Sequence, residues 1–218
     1  MKKILIYGAT GRTGQLVLEY ALSKGYEVTA LVRSPEKLAL RSDRLRIIKG
    51  LPSNIDDVRK AINGCNAVIS TLSGLPESDI ITFKKVKPSY IMETTIRNTI
   101  QCMYESDVKD VVTLSSLAVG DSYPYAPWYM RLGIKLTNLK ISFADHNAQE
   151  LLLQQSDLNW VIVRPVGLNN NIESKKLDIS YNRKPAASTI SRKLVAQFIV
   201  DALGNDEFIH KAPVIAEY

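Results

Sequence analysis

A glycine-rich stretch near the N terminus, "YGATGRTG" at positions 7–14, directly follows the apolar run "KKILI". At this spacing Gly11 permits close approach of the backbone to a pyrophosphate, and Gly14 allows the next helix to pack against the strand that ends at Gly8. The helix that begins near Arg12 offers unpaired N–H groups and the positive end of its dipole to phosphate. The stretch predicts a dinucleotide-binding loop, the alternative being glycines that only make a tight turn.

The residues about 20 positions further on indicate which dinucleotide is bound. Folds that prefer NAD carry Asp or Glu at the end of the second strand, where it holds the ribose 2′-hydroxyl. Here the sequence reads "ALVRSPEK", with Arg33 and Ser34 and no acidic residue before Glu36. A guanidinium binds phosphate through two parallel hydrogen bonds, and Arg12 adds a second cation. We therefore expect NADP(H) to be preferred over NAD(H), unless Arg33 is an ordinary surface arginine.

Short apolar runs alternate with helical patterns along the sequence, and they predict the strands and helices that position these residues. Predicted strands cover 3–8, 27–33, 45–50, 66–71, 110–116, 159–165 and 212–218, and predicted helices cover 12–24, 55–63, 88–106, 140–155 and 191–203. The strands are continuous apolar runs, which are typical of parallel strands covered on both faces. The pattern predicts an α/β fold, with a doubly wound, mostly parallel Rossmann-like sheet and helices on both faces.

Two segments interrupt this alternation. Residues 120–133 follow the fifth strand and contain three tyrosines and a tryptophan in a Pro- and Gly-rich stretch, and residues 166–185 follow the sixth strand and are polar. Ligands of open α/β sheets bind outside the carboxyl ends of the strands. Because both segments leave such ends, we expect them to form the walls of a substrate pocket. For the stretch "YPYAPWY" within the first segment, a packed lid and a substrate contact are equally favoured.

Composition restricts the class of protein. A chain of 218 residues fits one large domain or a domain with a small lobe. The formal net charge is +6, but the basic residues are spread along the chain and do not alternate with aromatics as in a nucleic-acid module. No nucleic-acid partner is expected; the basic surface suits a phosphorylated small molecule.

The cysteines and the apolar runs predict the compartment. Cys65 and Cys102 lie in segments that read as buried and form no metal-ligand cluster, so reduced thiols and no metal site are expected. The apolar run at the N terminus is too short for a secretory signal, and the sequence contains no apolar run of membrane-spanning length. We expect a cytoplasmic protein without a membrane partner, as a monomer or homodimer.

With these motifs in order, the sequence resembles the atypical short-chain dehydrogenase/reductases. It is most similar to the NAD(P)H-binding branch with the NmrA-like proteins and the biliverdin reductase B/flavin reductase group. The likeness rests on "GATGRTG", "GYEVTALVRSPEKL", "NAVIST", "VVTLSS" and "SDLNWVIVRP". It spans nearly the whole chain, so residues 1–218 are expected to form a single NAD(P)-binding Rossmann domain.

The resemblance implies a set of cofactor-binding positions. The phosphate loop matches at Gly8, Thr10, Gly11, Arg12, Thr13 and Gly14, and the contact to the 2′-phosphate matches at Arg33. Thr71, Leu72 and Ser73 lie where the family lines the nicotinamide ribose. Ser115 lies where the superfamily has its catalytic serine, and Pro165 matches the "RP" turn beside the nicotinamide. The resemblance thus gives Ser115 both a cofactor contact and a catalytic role.

Four positions depart from the family. Leu51 stands where an Asp near the adenine is usual, so an apolar contact replaces a hydrogen bond. Ser142 and His146 stand where ordinary short-chain dehydrogenases have a Tyr and a Lys that relay a proton. Gly167 follows the "RP" turn, where the biliverdin reductase B group often has a histidine. His146 is either a catalytic proton donor or a residue that binds the cofactor ribose or caps local structure.

A serine hydroxyl is too weakly acidic to replace the tyrosine, so the reaction must need little acid–base help from the protein. We expect an NADPH-dependent reductase that transfers hydride to a flat conjugated acceptor, such as a flavin, a quinone or a tetrapyrrole. Ser115 would bind the acceptor or the nicotinamide amide. The alternative is a non-catalytic NADP(H)-binding redox sensor of the NmrA type. Epimerase or dehydratase chemistry would require the missing tyrosine.

Overall fold

The computed structural model describes residues 2–74, 86–88, 90–171 and 175–218. Its strands are β1 (Lys3–Tyr7), β2 (Glu27–Val32), β3 (Leu45–Lys49), β4 (Ala67–Ser70), β5 (Asp110–Leu114), β6 (Asn159–Pro165), β7 (Gly167–Asn169), β8 (Leu177–Ser180), β9 (Thr189–Ser191) and β10 (Val214–Glu217). Its helices are α1 (Arg12–Ser23), α2 (Ile55–Ile62), α3 (Ile91–Glu105), α4 (Trp128–Leu136), α5 (Leu139–Gln154) and α6 (Arg192–Asp201), with short 3-10 helices over Pro35–Lys37 and Gly120–Tyr125. The predicted strands and helices are thus all present, with small shifts of their ends.

The main sheet has the strand order β3-β2-β1-β4-β5-β6-β10-β8. Ile6 of β1 lies opposite Ala30 of β2 on one side and Ile69 of β4 on the other, both in parallel register. Only β8 runs antiparallel, against β10. The doubly wound, mostly parallel sheet is therefore confirmed. The strand order reverses between β1 and β4, which opens a crevice at the carboxyl ends of these strands.

Both faces of the sheet are covered, because alternate residues of each strand point to opposite faces. Ile4 and Ile6 of β1 pack into a core with α1 and α6. Leu5 and Tyr7 of the same strand pack into a second core with α2 and α3. These four side chains are fully buried, which explains why the strands read as unbroken apolar runs.

The two irregular segments contain elements that the sequence pattern does not predict. Helix α4 begins within 120–133, after Pro127. In 166–185, β7 pairs with β9 in a separate two-stranded sheet, and β8 extends the edge of the main sheet. Proline, glycine and polar residues interrupt the hydrophobic periodicity in both segments, so these elements depend on contacts with the rest of the fold.

Candidate cofactor and active site

The glycine loop forms a tight connection between β1 and α1. Gly8 has a left-handed backbone with φ of +79°, and its carbonyl accepts a hydrogen bond of 2.8 Å from the Gly11 N–H. A Cβ added to Gly14 would lie 2.0 Å from the Gly8 carbonyl oxygen. Any side chain at Gly14 would therefore push α1 away from the loop.

The first turn of α1 is open to an anion. Within the described ranges no side chain caps it at Gly11, and the turn itself holds no acidic residue. By contrast, the Asn54 side chain caps α2 and the Ser191 hydroxyl caps α6. The N–H groups of the first turn of α1 and its positive dipole end thus fit the phosphates of a dinucleotide.

A second arginine that the sequence analysis missed lies near Arg12. Arg192 begins α6, is 8% exposed, and donates from Nη1 to Asn170 Oδ1 at 2.7 Å. Burial lowers the pKa of Arg192, and the positive charge of Arg12 lowers it further. Two guanidinium groups of like charge beside a phosphate-binding loop are stabilised by a bound anion. Only the packing of α6 against α1 brings them together, so no sequence spacing could reveal the pair.

The β3 end has a carboxylate, although Leu51 replaces the usual aspartate. The Leu51 N–H donates to Asp57 Oδ2 at 2.9 Å, and a Cβ at Gly50 would lie 2.8 Å from the same carboxyl group. Asp57 belongs to α2, and its carboxylate already accepts a hydrogen bond from the backbone. The Leu51 side chain is 42% exposed and can offer an apolar contact to an adenine.

Thr71 ties the β4 end to the glycine loop. Its hydroxyl donates to the Tyr7 carbonyl at 2.9 Å, and a Cβ at Gly8 would meet the Thr71 oxygens at 2.7 and 2.9 Å. Leu72 is half-buried and Ser73 exposed. The three residues lie at the carboxyl edge, beside the loop, and their contact with the nicotinamide ribose stays a prediction.

Ser115 directly follows β5 and is buried in a charged network. Its hydroxyl donates to Glu150 Oε1 at 2.5 Å. Glu150, on α5, accepts from Arg164 of β6, with Nη2···Oε2 of 2.6 Å and Nε···Oε1 of 3.0 Å. Arg164 also pairs with Asp121 of the 3-10 helix. Because a hydroxyl has one hydrogen, the Ser115 oxygen is left to accept a hydrogen bond from a ligand.

Ser142 and His146 lie one turn apart on α5, and both are buried. His146 Nδ1 has no hydrogen-bond partner within the described parts of the chain, and the ring packs edge-on against Phe143 at 6.5 Å between centroids. Burial lowers the pKa of His146 to about 4. The imidazole is neutral at pH 7, which argues against His146 as a proton donor.

Both irregular segments line one cavity of about 790 Å³. Leu117, two residues after Ser115, and Gly167, two residues after Pro165, contribute to its wall. The rest of the wall is rich in aromatic and apolar side chains, which include Tyr125, Trp128, Tyr129, Met130, Leu139, Pro185 and Ala187. The predicted pocket walls therefore meet around one space, beside the carboxyl ends of β5 and β6.

The structure describes the ranges 2–74, 86–88, 90–171 and 175–218, in which a metal site or a membrane span would show as a group of side chains or a helix. There, no three His, Cys, Asp or Glu side chains come together as a metal-binding group. No helix over the same ranges is long and apolar enough to cross a membrane. Cys65 and Cys102 are buried free thiols. The cytoplasmic location stays a prediction.

The glycine loop, the open helix start and the crevice at the strand-order reversal define a Rossmann-fold dinucleotide-binding protein. A family model described as NAD(P)H-binding matches residues 8–206. The chain therefore belongs to this NAD(P)H-binding family, and the resemblance to atypical short-chain dehydrogenase/reductases is confirmed.

Three proteins illustrate the similarity. An uncharacterized chloroplastic protein from Arabidopsis thaliana is 28% identical over 94% of this chain and 73% of its own length. Photosystem II assembly factor Ycf39 from Trieres chinensis is 30% identical over 75% of this chain, which spans only 45% of the factor. The structure of ChuY, an anaerobilin reductase from Escherichia coli O157:H7, matches 99% of this chain and 97% of its own, with a TM-score of 0.80 and 20% identity. The last likeness establishes a shared fold.

Proposed function

We propose that the protein is an NADPH-dependent reductase that transfers hydride to a flat conjugated acceptor. The observation that carries this proposal is the aromatic-lined cavity of about 790 Å³, whose wall includes Leu117 and Gly167, two residues after Ser115 and Pro165. Its size falls within the usual range for small-molecule sites. Tyrosine and tryptophan faces in its wall suit a planar conjugated ring. The similarity to ChuY, described as an anaerobilin reductase, agrees with such an acceptor.

The residues at the carboxyl edge fit a nicotinamide dinucleotide. Gly8, Thr10, Gly11, Arg12, Thr13 and Gly14 would hold the pyrophosphate, and Arg192 adds positive charge there. Arg33 would bind the 2′-phosphate, Leu51 the adenine, and Thr71, Leu72, Ser73, Ser115 and Pro165 the nicotinamide half. When bound, NADPH supplies the hydride.

The protein's own groups orient the reactants and provide little acid–base chemistry. The Ser115 hydroxyl donates its hydrogen bond to Glu150, so the Ser115 oxygen would act as an acceptor towards a ligand, which suits the N–H₂ of a nicotinamide amide. Ser142 and the neutral His146 supply no proton at pH 7. An acceptor whose conjugated ring takes up the hydride, with its proton from solvent, fits this site.

Steady-state oxidation of NADPH with FMN, quinones and biliverdin tests the proposal. We expect turnover above the buffer background with at least one of the three acceptor classes. Absence of turnover with every class would reject the reductase.

Ser115→Ala tests the proposed role of the serine oxygen. We expect turnover to fall about three- to tenfold, the cost of one hydrogen bond, while NADPH binding is retained. The matched control is Ser116→Ala, which removes the neighbouring hydroxyl. Unchanged turnover of Ser115→Ala, or an equal loss in both variants, would remove Ser115 from the mechanism.

A non-catalytic NADP(H)-binding regulator is the second candidate. It is favoured by Ser142 and a neutral His146 in place of a Tyr/Lys pair, and by the similarity to Ycf39, which is described as an assembly factor. A sensor must distinguish the two redox forms of its ligand. Calorimetric titration with NADPH and NADP⁺ measures this difference, and equal affinities would exclude the sensor.

A further inference from the structure

The charged side chains that line the aromatic cavity are all basic within the described residues. Arg131, on α4, and Lys184, after β8, belong to its wall, and no Asp or Glu does. The Arg131 guanidinium lies 5.9 Å from the centroid of the Tyr123 ring. The guanidinium therefore lies within cation–π distance of an aromatic ring, a contact that leaves its N–H groups able to bind an anion.

Two carboxylates near this wall, among the residues that the structure describes, are already paired with other cations. Asp121 forms its ion pair with the buried Arg164. Asp178 forms an ion pair with Arg183 and also accepts from the N–H of Ala186, a lining residue, at 2.8 Å. Neither carboxylate neutralises Arg131 or Lys184, so the described part of the cavity wall keeps an excess of positive charge.

We propose that the acceptor bound in this cavity carries an anionic group, a phosphate or a carboxylate, which Arg131 and Lys184 bind while the ring lies against Tyr125 and Trp128. This inference rests on the proposed function, in which the cavity holds the acceptor. The concave shape and the local charge excess favour a small anionic molecule over a neutral one. The basic pair thus acts as a specificity determinant.

Two matched ligand pairs test the charge requirement. FMN and riboflavin differ by one phosphate, and biliverdin and its dimethyl ester differ by two carboxylates. Equilibrium binding is measured by fluorescence in phosphate-free buffer with saturating NADP⁺, so that the cofactor site is already filled. We expect the anionic member of at least one pair to bind about fivefold more tightly, as for a partly exposed ion pair. The pair with the larger ratio distinguishes phosphate from carboxylate.

The double variant Arg131→Gln/Lys184→Gln should bring that ratio close to one. The control is Lys135→Gln, which removes an exposed charge from α4 outside the cavity wall and should retain the full ratio. Equal binding within both pairs, or a ratio that persists in the double variant, would overturn the inference. The binding measurement does not depend on turnover. Tighter binding of the anionic ligand without NADPH oxidation would reject the proposed reductase activity but not the anionic ligand. Turnover without a preference for the anionic ligand would reject the anionic acceptor but not the reductase activity.

Discussion

Arg33 follows β2 with an exposed side chain, at the carboxyl edge where folds of this class bind the adenosine ribose. Cofactor choice at this edge depends on single side chains, because NADPH and NADH differ only in the 2′-phosphate. The absence of an acidic residue between the end of β2 and Glu36 removes the usual partner of a 2′-hydroxyl.

Arg33→Ala should weaken NADPH binding by about 1–3 kcal/mol, the range for a hydrogen-bonded charged contact, and leave NADH binding nearly unchanged. Isothermal titration with both cofactors measures the difference. Arg44→Ala is the control, because Arg44 is exposed at the opposite, amino end of β3. Comparable losses for both cofactors would reject the 2′-phosphate contact.

His146 makes stability depend on pH. Its pKa falls from 6.5 to about 4 on folding because burial disfavours the charged ring. As the pH falls, the His146 ring is therefore protonated in the unfolded chain before it is protonated in the folded chain. The free energy of unfolding decreases as the pH falls from about 6.5 towards 4. The full loss is up to about 3 kcal/mol.

His146→Leu should remove this part of the pH dependence. Denaturant unfolding of both proteins between pH 7 and pH 4.5 isolates the contribution, because the other titrating groups are shared. We expect the stability difference in favour of the variant to grow as the pH falls. A difference that is independent of pH would mean that the ring does not titrate with the pKa given above.

At the scale of the elements, Gly120 begins the 3-10 helix next to the buried ion pair of Glu150 and Arg164. Its φ is +55°, and an added Cβ would lie 2.8 Å from Arg164 Nη2 and 3.0 Å from Glu150 Oε2. Both the backbone and the space around Gly120 thus favour glycine.

Gly120→Ala should destabilise the protein by about 1–3 kcal/mol, because it combines backbone strain with displacement of a buried ion pair. Gly133→Ala is the matched control, because Gly133 lies within α4 and a Cβ there meets nothing within 4 Å. That control should be stabilised by about 0.5–1 kcal/mol. Thermal unfolding of the two variants gives the comparison, and equal shifts would contradict the strain at Gly120.

The main sheet could be predicted because its signals are local. Each parallel strand is an apolar run in the sequence. The spacing of the glycines fits a phosphate-binding turn between a strand and a helix, so it places β1 directly before the loop. Helix α4 was missed because proline and glycine interrupt its pattern. The sequence does not predict that Arg192 lies near Arg12, or that Ser115 forms a hydrogen bond with Glu150. In both pairs the residues belong to elements distant in sequence, and only the packing of those elements brings them together.

At the scale of the whole molecule, a net charge of +6 supports the binding of polyanions. NADPH affinity should fall as NaCl rises from 0.05 to 0.5 M, and it should fall more steeply than NADH affinity, because the 2′-phosphate adds charge and exposed contacts are screened by salt. Titrations across this range give both slopes. Parallel slopes would show that the extra phosphate meets no positive charge.

The open first turn of α1 also has a consequence for the lifetime of the protein. A ligand that binds only the folded state at a hundred times its Kd adds about 2.7 kcal/mol to stability. NADPH that occupies this turn would thus protect the chain from proteolysis through the unfolded state. The steady-state amount of the protein would then follow the supply of reduced cofactor, which links abundance to metabolism without any change in transcription.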